Sequence, residues 1–311
     1  MAYELQPRET VEACVRRVAG ELCDTALQQS REQPEGERVA VHRSRRACKS
    51  LRALLRLVRD VLPEAREENR ALRDAARGLS GSRDRLVLYE TAQSLANKLP
   101  TAAREQAQPA VDELERAWRE PDASGKADAD RLVAFVAQMQ AIADRVPRWS
   151  LEAEGFEAIA GGLGKYYDRG RAAMRDALAS EEGEAYHDWR KRAKDLDHHL
   201  RLLTPIWPPV MRATRKQVSR LGDLLGEHHD LVVLCDTLEA DPVRHGGEAA
   251  VAPLTAAAHR KLRRLEAKAT PYGRRLYAEP ADRFVERIGH YWQQWRLENT
   301  PIRAGAAREK V

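Results

Sequence analysis

Residues 41–62 carry two parallel stripes that fix what this stretch can become. Val41, Ser44, Cys48, Leu51, Leu55, Val58 and Leu62 recur at steps of three and four, the packed seam of an α-helix. His42, Arg45, Lys49, Arg52, Arg56 and Arg59 repeat those steps one residue later. One residue is about 100° around a helix, so the basic row lies beside the seam. From His42 to Arg56 it runs roughly 21 Å. The stretch 41–59 holds seven Arg or Lys residues, one His and no acid. Like charges three and four residues apart repel, whereas a solvated face usually mixes signs. Acidic partners elsewhere, or an anionic ligand, must offset that cost.

The same arrangement recurs when the chain is shifted by 145 residues. His42 falls on His187, Arg45 on Arg190, Arg46 on Lys191, Lys49 on Lys194, Arg56 on Arg201 and Pro63 on Pro208. With one residue more, Arg66 meets Arg212, Arg70 meets Lys216 and Asp84 meets Asp230. The second seam is Tyr186, Trp189, Ala193, Leu196, Leu200, Leu203 and Trp207. Asp188 and Asp197 replace Arg43 and Arg52, so the second half is less positive and the first is expected to dominate any anion binding. The repeat predicts two helical halves, residues 1–147 and 148–311, related by a pseudo-twofold axis with both basic rows on one cleft.

The remaining segments also read as helices. They are expected at 7–29, at 41 to about 63, and at 64–78, 83–98, 102–120, 128–145, 155–180 and 184–203. Others follow at 210–225, 229–239, 248–269 and 281–296. Breaks are predicted at 80–82, 121–125, Gly226, Pro271 and Gly273, with a frayed tail. No segment sustains period-two alternation, so the fold class is all-α. Four cysteines without CxxC spacing read as reduced thiols of a cytoplasmic protein. Neither a signal peptide nor a membrane-spanning run is visible. Aromatic residues make up only 5% of the chain, which argues against a base-stacking platform.

The pattern His-x-x-Arg-(Arg/Lys)-x-x-Lys, present twice on predicted helices, resembles the CHAD family of histidine-containing α-helical domains. The segment Leu224–Leu231 and the pair Arg83-Asp84 resemble the family's turn into a short helix. The resemblance spans roughly residues 5–298. It implies two helical bundles around a central basic channel that binds inorganic polyphosphate, with association to polyphosphate granules and no catalysis by the domain itself; no cofactor or metal is expected. The implied ligand residues are His42, Arg45, Arg46, Lys49, Arg52 and Arg56 in the first copy. In the second they are His187, Arg190, Lys191, Lys194 and Arg201. Arg66, Arg70, Arg73, Arg212, Lys216 and Arg220 join them from the following helices. The chemistry agrees, because a flexible polyanion without bases calls for rows of Arg and Lys rather than stacking rings.

Two other readings compete. His228, His229 and Asp230 are candidate ligands of a metal-dependent phosphohydrolase, although Arg83-Asp84 at the matching position favours a capping role for the Asp. The run Arg260-Lys261-Leu262-Arg263-Arg264 is a candidate nucleic-acid or phosphoprotein patch, or an outer extension of the channel. Gly161-Gly162-Leu163-Gly164-Lys165 lacks phosphate-loop spacing and reads as a hinge or helix irregularity.

Overall fold

The computed structural model describes residues 3–79, 82–120, 128–180 and 183–299, without the side chains of 37–38, 82–84 and 128–129. The breaks expected at 80–81 and 121–125, the tail from 300 and any cap made by Asp84 lie outside the described residues. Eleven α-helices are described, with no strand among them: α1 (Val11–Glu32), α2 (Glu37–Leu57), α3 (Ala65–Gly78), α4 (Ser82–Ala96), α5 (Thr101–Arg119), α6 (Asp128–Ala143), α7 (Glu157–Ala179), α8 (Gly183–Leu202), α9 (Pro208–Ala240), α10 (Glu248–Leu276) and α11 (Ala281–Asn299).

Both seams are buried as the periodicity predicts, except at one end. Val41, Ser44, Cys48, Leu51, Leu55, Val58 and Leu62 are all in the core, and the Ser44 hydroxyl is satisfied there by Ser30, 2.8 Å away. In the second seam Trp207 departs: it is 45% exposed, with its ring edge-on to Tyr291. It stands past the end of α8, where the helical phase no longer holds. All four cysteines are free and buried.

Several boundaries differ from the sequence reading. Helix α1 starts at Val11 rather than near Pro7, because the Thr10 hydroxyl accepts from the Ala13 amide at 3.1 Å and caps it. Helix α2 ends at Leu57, so Arg59 leaves the row and pairs with Asp60 at 3.3 Å. Gly226 does not stop a helix, and α9 runs unbroken for 33 residues. A glycine ends a helix by adopting positive φ, which Gly226 does not. Its flanks Leu221, Leu225, His228 and Leu231 continue one buried seam. Helix α10 likewise passes through Pro271, whose missing donor costs about 3 kcal/mol. The next turn packs so closely on Trp189 that a Cβ at Gly273 would lie 2.3 Å from its ring.

Helices α1, α2, α3 and α6 pack on one another. Glu68 of α3, buried, accepts two hydrogen bonds from Arg145 just beyond α6, at 2.6 and 2.8 Å. In the rest of the chain α7 packs on α8 and α11, α8 on α9, and α9 on α10. The α4–α5 hairpin packs against α9 and α10. Helix α2 touches both α7 and α8. The first of these contacts explains Gly162 of the glycine cluster, which lies inside the unbroken α7 and is neither hinge nor irregularity. A Cβ on Gly162 would sit 1.9 Å from the Leu57 carbonyl oxygen, so only glycine admits this crossing.

Gly162→Ala is expected to destabilise the protein by about 1–3 kcal/mol through overpacking. Gly20→Ala, on α1 with nothing within 4 Å of the new methyl, is expected to stabilise it by up to about 1 kcal/mol. Urea denaturation of the two variants measures the contrast.

Candidate functional site

Helices α2 and α8 cross antiparallel. The His199 Nε2 lies 3.0 Å from the Ala53 carbonyl oxygen, and three residues further along α2 Arg56 meets Asp195, four residues earlier on α8. Asp195 is 3% exposed and also pairs with Arg192 at 3.0 Å. The ring of Tyr166 on α7 lies beneath three guanidiniums, those of Arg56, Arg169 and Arg192, at 5.9, 5.2 and 5.6 Å. Across the crossing the N-terminal segment lies along α8. The Leu5 amide donates to the Leu202 carbonyl at 3.0 Å, the Tyr3 hydroxyl to the Ser50 carbonyl at 3.3 Å, and Arg201 covers the Tyr3 ring.

This geometry sorts the seventeen candidate residues. On α2, His42, Arg46 and Lys49 are exposed and Arg45, Arg52 and Arg56 half-buried. Arg45 donates to the Leu79 carbonyl at 3.2 Å, and Arg52 to Asn69 on α3 at 3.1 Å. Arg56 is turned inward to Asp195. On α3, Arg66, Arg70 and Arg73 are exposed, and Arg73 pairs with Asp74 at 3.0 Å. Burial lowers the Arg52 pKa, and the Arg56 and Arg73 charges act in the same direction, so these three cations stand near one another. On α8, Lys191 pairs with Asp188 at 2.7 Å and Lys194 with Asp223 of α9 at 3.4 Å. Arg212, Lys216 and Arg220 line an open groove of about 650 Å³ on α9, with Arg215, Asp223 and Tyr272.

Cations from both helices converge on His198. Burial holds its imidazole down at about 3, reinforced by His199 and by the charges of Arg201, Lys194 and Arg46. Arg46 of α2 therefore joins Lys194 and Arg201 of α8 in one field. By contrast His42 and His187 are not brought together. Counted from the Ala53–His199 contact they lie about 16 and 18 Å out along their own helices, toward opposite ends of an antiparallel crossing. His187 stacks instead on His229 of α9, with ring centroids 3.9 Å apart. Burial, then the Lys191 and Arg190 charges, hold His187 at about 4, and His229 is held at about 4 chiefly by burial. The His187 Nδ1 and Arg190 Nε are buried without a hydrogen-bond partner.

The two acidic departures are both paired. Asp188 holds Lys191, and Asp197 accepts from Arg215 of α9 at 3.2 Å. Asp195, Arg192, Arg169 and Tyr166 have no place in the sequence reading. The available signal was an acidic residue directly beside the seam position Leu196, where the first copy has Ser50. His228 and Glu266 are 3.1 Å apart. Among the described residues, His228, His229 and Asp230 are not a cluster of three converging metal-ligand atoms.

The chain belongs to the CHAD family: the CHAD domain model matches residues 18–239. No curated protein matches it. Among the described residues no helix is long and apolar enough to cross a membrane.

Two predictions follow from these environments. Asp195→Asn leaves two guanidiniums without their buried carboxylate and is expected to cost about 3–5 kcal/mol, against less than about 1 kcal/mol for Asp188→Asn at the surface; chemical denaturation compares them. His187 and His229 titrate near 4 when folded but near 6.5 when unfolded, so the unfolded chain binds more protons between these values. Their contribution makes stability fall as pH drops from about 6.5 to 4 and leaves it flat above. Imidazole proton resonances followed by NMR against pH should give midpoints near 4 for both rings.

Proposed function

We propose that the protein binds inorganic polyphosphate, without catalysis, along the cationic rows of α2, α8 and α9. The carrying observation is that Arg46, Arg190 and Arg201, on two crossing helices, have no carboxylate within 4 Å among the described residues. The exposed Arg66, Arg70, Arg212, Lys216 and Arg220 share that condition. Forked guanidinium donors and mobile ammonium groups suit a chain of phosphates, and the unsatisfied Arg190 Nε and His187 Nδ1 supply further polar atoms. Membership of the CHAD family is compatible with this ligand.

The reading includes two pseudo-symmetric halves, 1–147 and 148–311, that flank a central basic channel, and targeting to cytoplasmic polyphosphate granules. One contact supports the repeat. Arg52 on α2 donates to Asn69 on α3; their shifted counterparts are Asp197 on α8 and Arg215 on α9, joined with donor and acceptor exchanged. In this account α9 combines the counterparts of α3 and α4, and the crossing at Ala53 and His199 lies near the pseudo-axis.

Titration of long-chain polyphosphate by calorimetry at two salt concentrations tests the reading. Affinity is expected to fall steeply with salt, and Arg46→Ala, Arg190→Ala and Lys194→Ala each to reduce the log–log slope by about 0.7. Unchanged affinity in the folded triple variant would refute it. Displacement of polyphosphate by duplex DNA at equal phosphate concentration would favour a nucleic-acid module instead. Metal-stimulated orthophosphate release abolished by Asp230→Ala would favour a phosphohydrolase.

A further inference from the structure

Away from the cationic rows, α9 and α10 bring three unlike donors together. Cys235 and Glu239 stand one turn apart on α9, and His259 reaches them from α10. The Cys235 sulfur, a Glu239 carboxylate oxygen and a His259 ring nitrogen all lie within 4.8 Å of one another. No other group of three His, Cys, Asp or Glu side chains among the described residues does this. His259 Nε2 is 3.9 Å from Glu239 Oε1, too far for a hydrogen bond. Bonds of about 2.0–2.3 Å at tetrahedral angles place ligand atoms roughly 3.3–3.7 Å apart, so closure by about an ångström or less would seat an ion between them.

The donor chemistry is selective. A thiolate and an imidazole with one carboxylate suit zinc and its neighbours, not magnesium or calcium, which take oxygen ligands. Cys235 is 4% exposed and forms the inner wall, while Glu239 and His259 are about half exposed and leave an outer approach. Burial pushes the Cys235 thiol up to about 12, and the Glu239 and Asp236 charges act the same way; a bound cation would reverse that field. We propose that Cys235, Glu239 and His259 form a site for a divalent zinc-class ion, with water in the fourth position. On binding, the thiol proton passes to solvent and a sulfur–metal bond forms. The ion ties α9 to α10 and is independent of the polyphosphate reading.

Cobalt(II) is added to the reduced, polyphosphate-free protein and then displaced with zinc. One equivalent is expected to produce a thiolate-to-cobalt charge-transfer band that zinc abolishes. Cys14, Cys23 and Cys48 are all 0% exposed, which leaves Cys235 as the sulfur such a band reports. The band is lost in Cys235→Ser. His259→Ala and Glu239→Gln, at half-exposed positions, bind cobalt at least about tenfold more weakly, since even indirect ligand supports are worth that much. Zinc also raises the unfolding temperature of the wild type but not of His259→Ala. Absence of the band, or equal cobalt affinity in the wild type and His259→Ala, overturns the proposal.

Discussion

The buried carboxylate of Asp195 fixes how α2 crosses α8, and the placement of the cations follows from that crossing. It takes Arg56 from one helix and Arg192 from the other. A carboxylate at 3% exposure is costly unless both oxygens meet charge. The Tyr166 ring beneath the guanidiniums and the His199 contact with the Ala53 carbonyl complete the junction. A row of like charges that repels along α2 is thereby relieved at one point by an acid from the other helix. Elsewhere on the row Arg45 donates to the Leu79 carbonyl and Arg52 to Asn69, while His42, Arg46 and Lys49 are exposed.

Antiparallel crossing has a second consequence. The two histidines that open the repeated motifs lie toward opposite ends, so the proposed site is a long track and not a pocket closed between them. Near the middle Arg46, Lys194 and Arg201 share one field around His198. In the proposed reading His187 and Arg190 continue the track on α8, and the groove lined by Arg212, Lys216 and Arg220 extends it over α9. The acidic departures at Asp188 and Asp197 are each paired, with Lys191 and Arg215, so each also occupies a neighbouring cation. The first half gives up Arg56 to Asp195.

The seams were legible because burial imposes a period that leucines and valines report directly. All seven residues of the first seam are in the core. The all-α class and nearly every helix followed from the same signal. Where helices end was harder to read. Gly226 and Pro271 are local stop signals, but continuous burial of Leu225, His228 and Leu231, and close packing of Gly273 on Trp189, override them. The opposite error arose at Val58 and Leu62, which are buried yet lie beyond α2. The cations of the site were legible as residue types, but their pairing was not. Nothing in a one-dimensional stripe tells that Arg56 turns inward or that Lys194 leans on Gly222 toward Asp223. Those choices depend on which helix crosses which, and at what register.

The central claim is that a polyanion occupies the track on α2 and α8. Lysine acetylation of the native protein, with and without long-chain polyphosphate and read by mass spectrometry, tests it at the residues themselves. Lys49, Lys191 and Lys194 are predicted to be protected by the polymer, and Lys98, Lys261 and Lys268, which line a separate groove beside α10, to react as before. Protection of that second set with Lys191 and Lys194 unprotected would contradict the account.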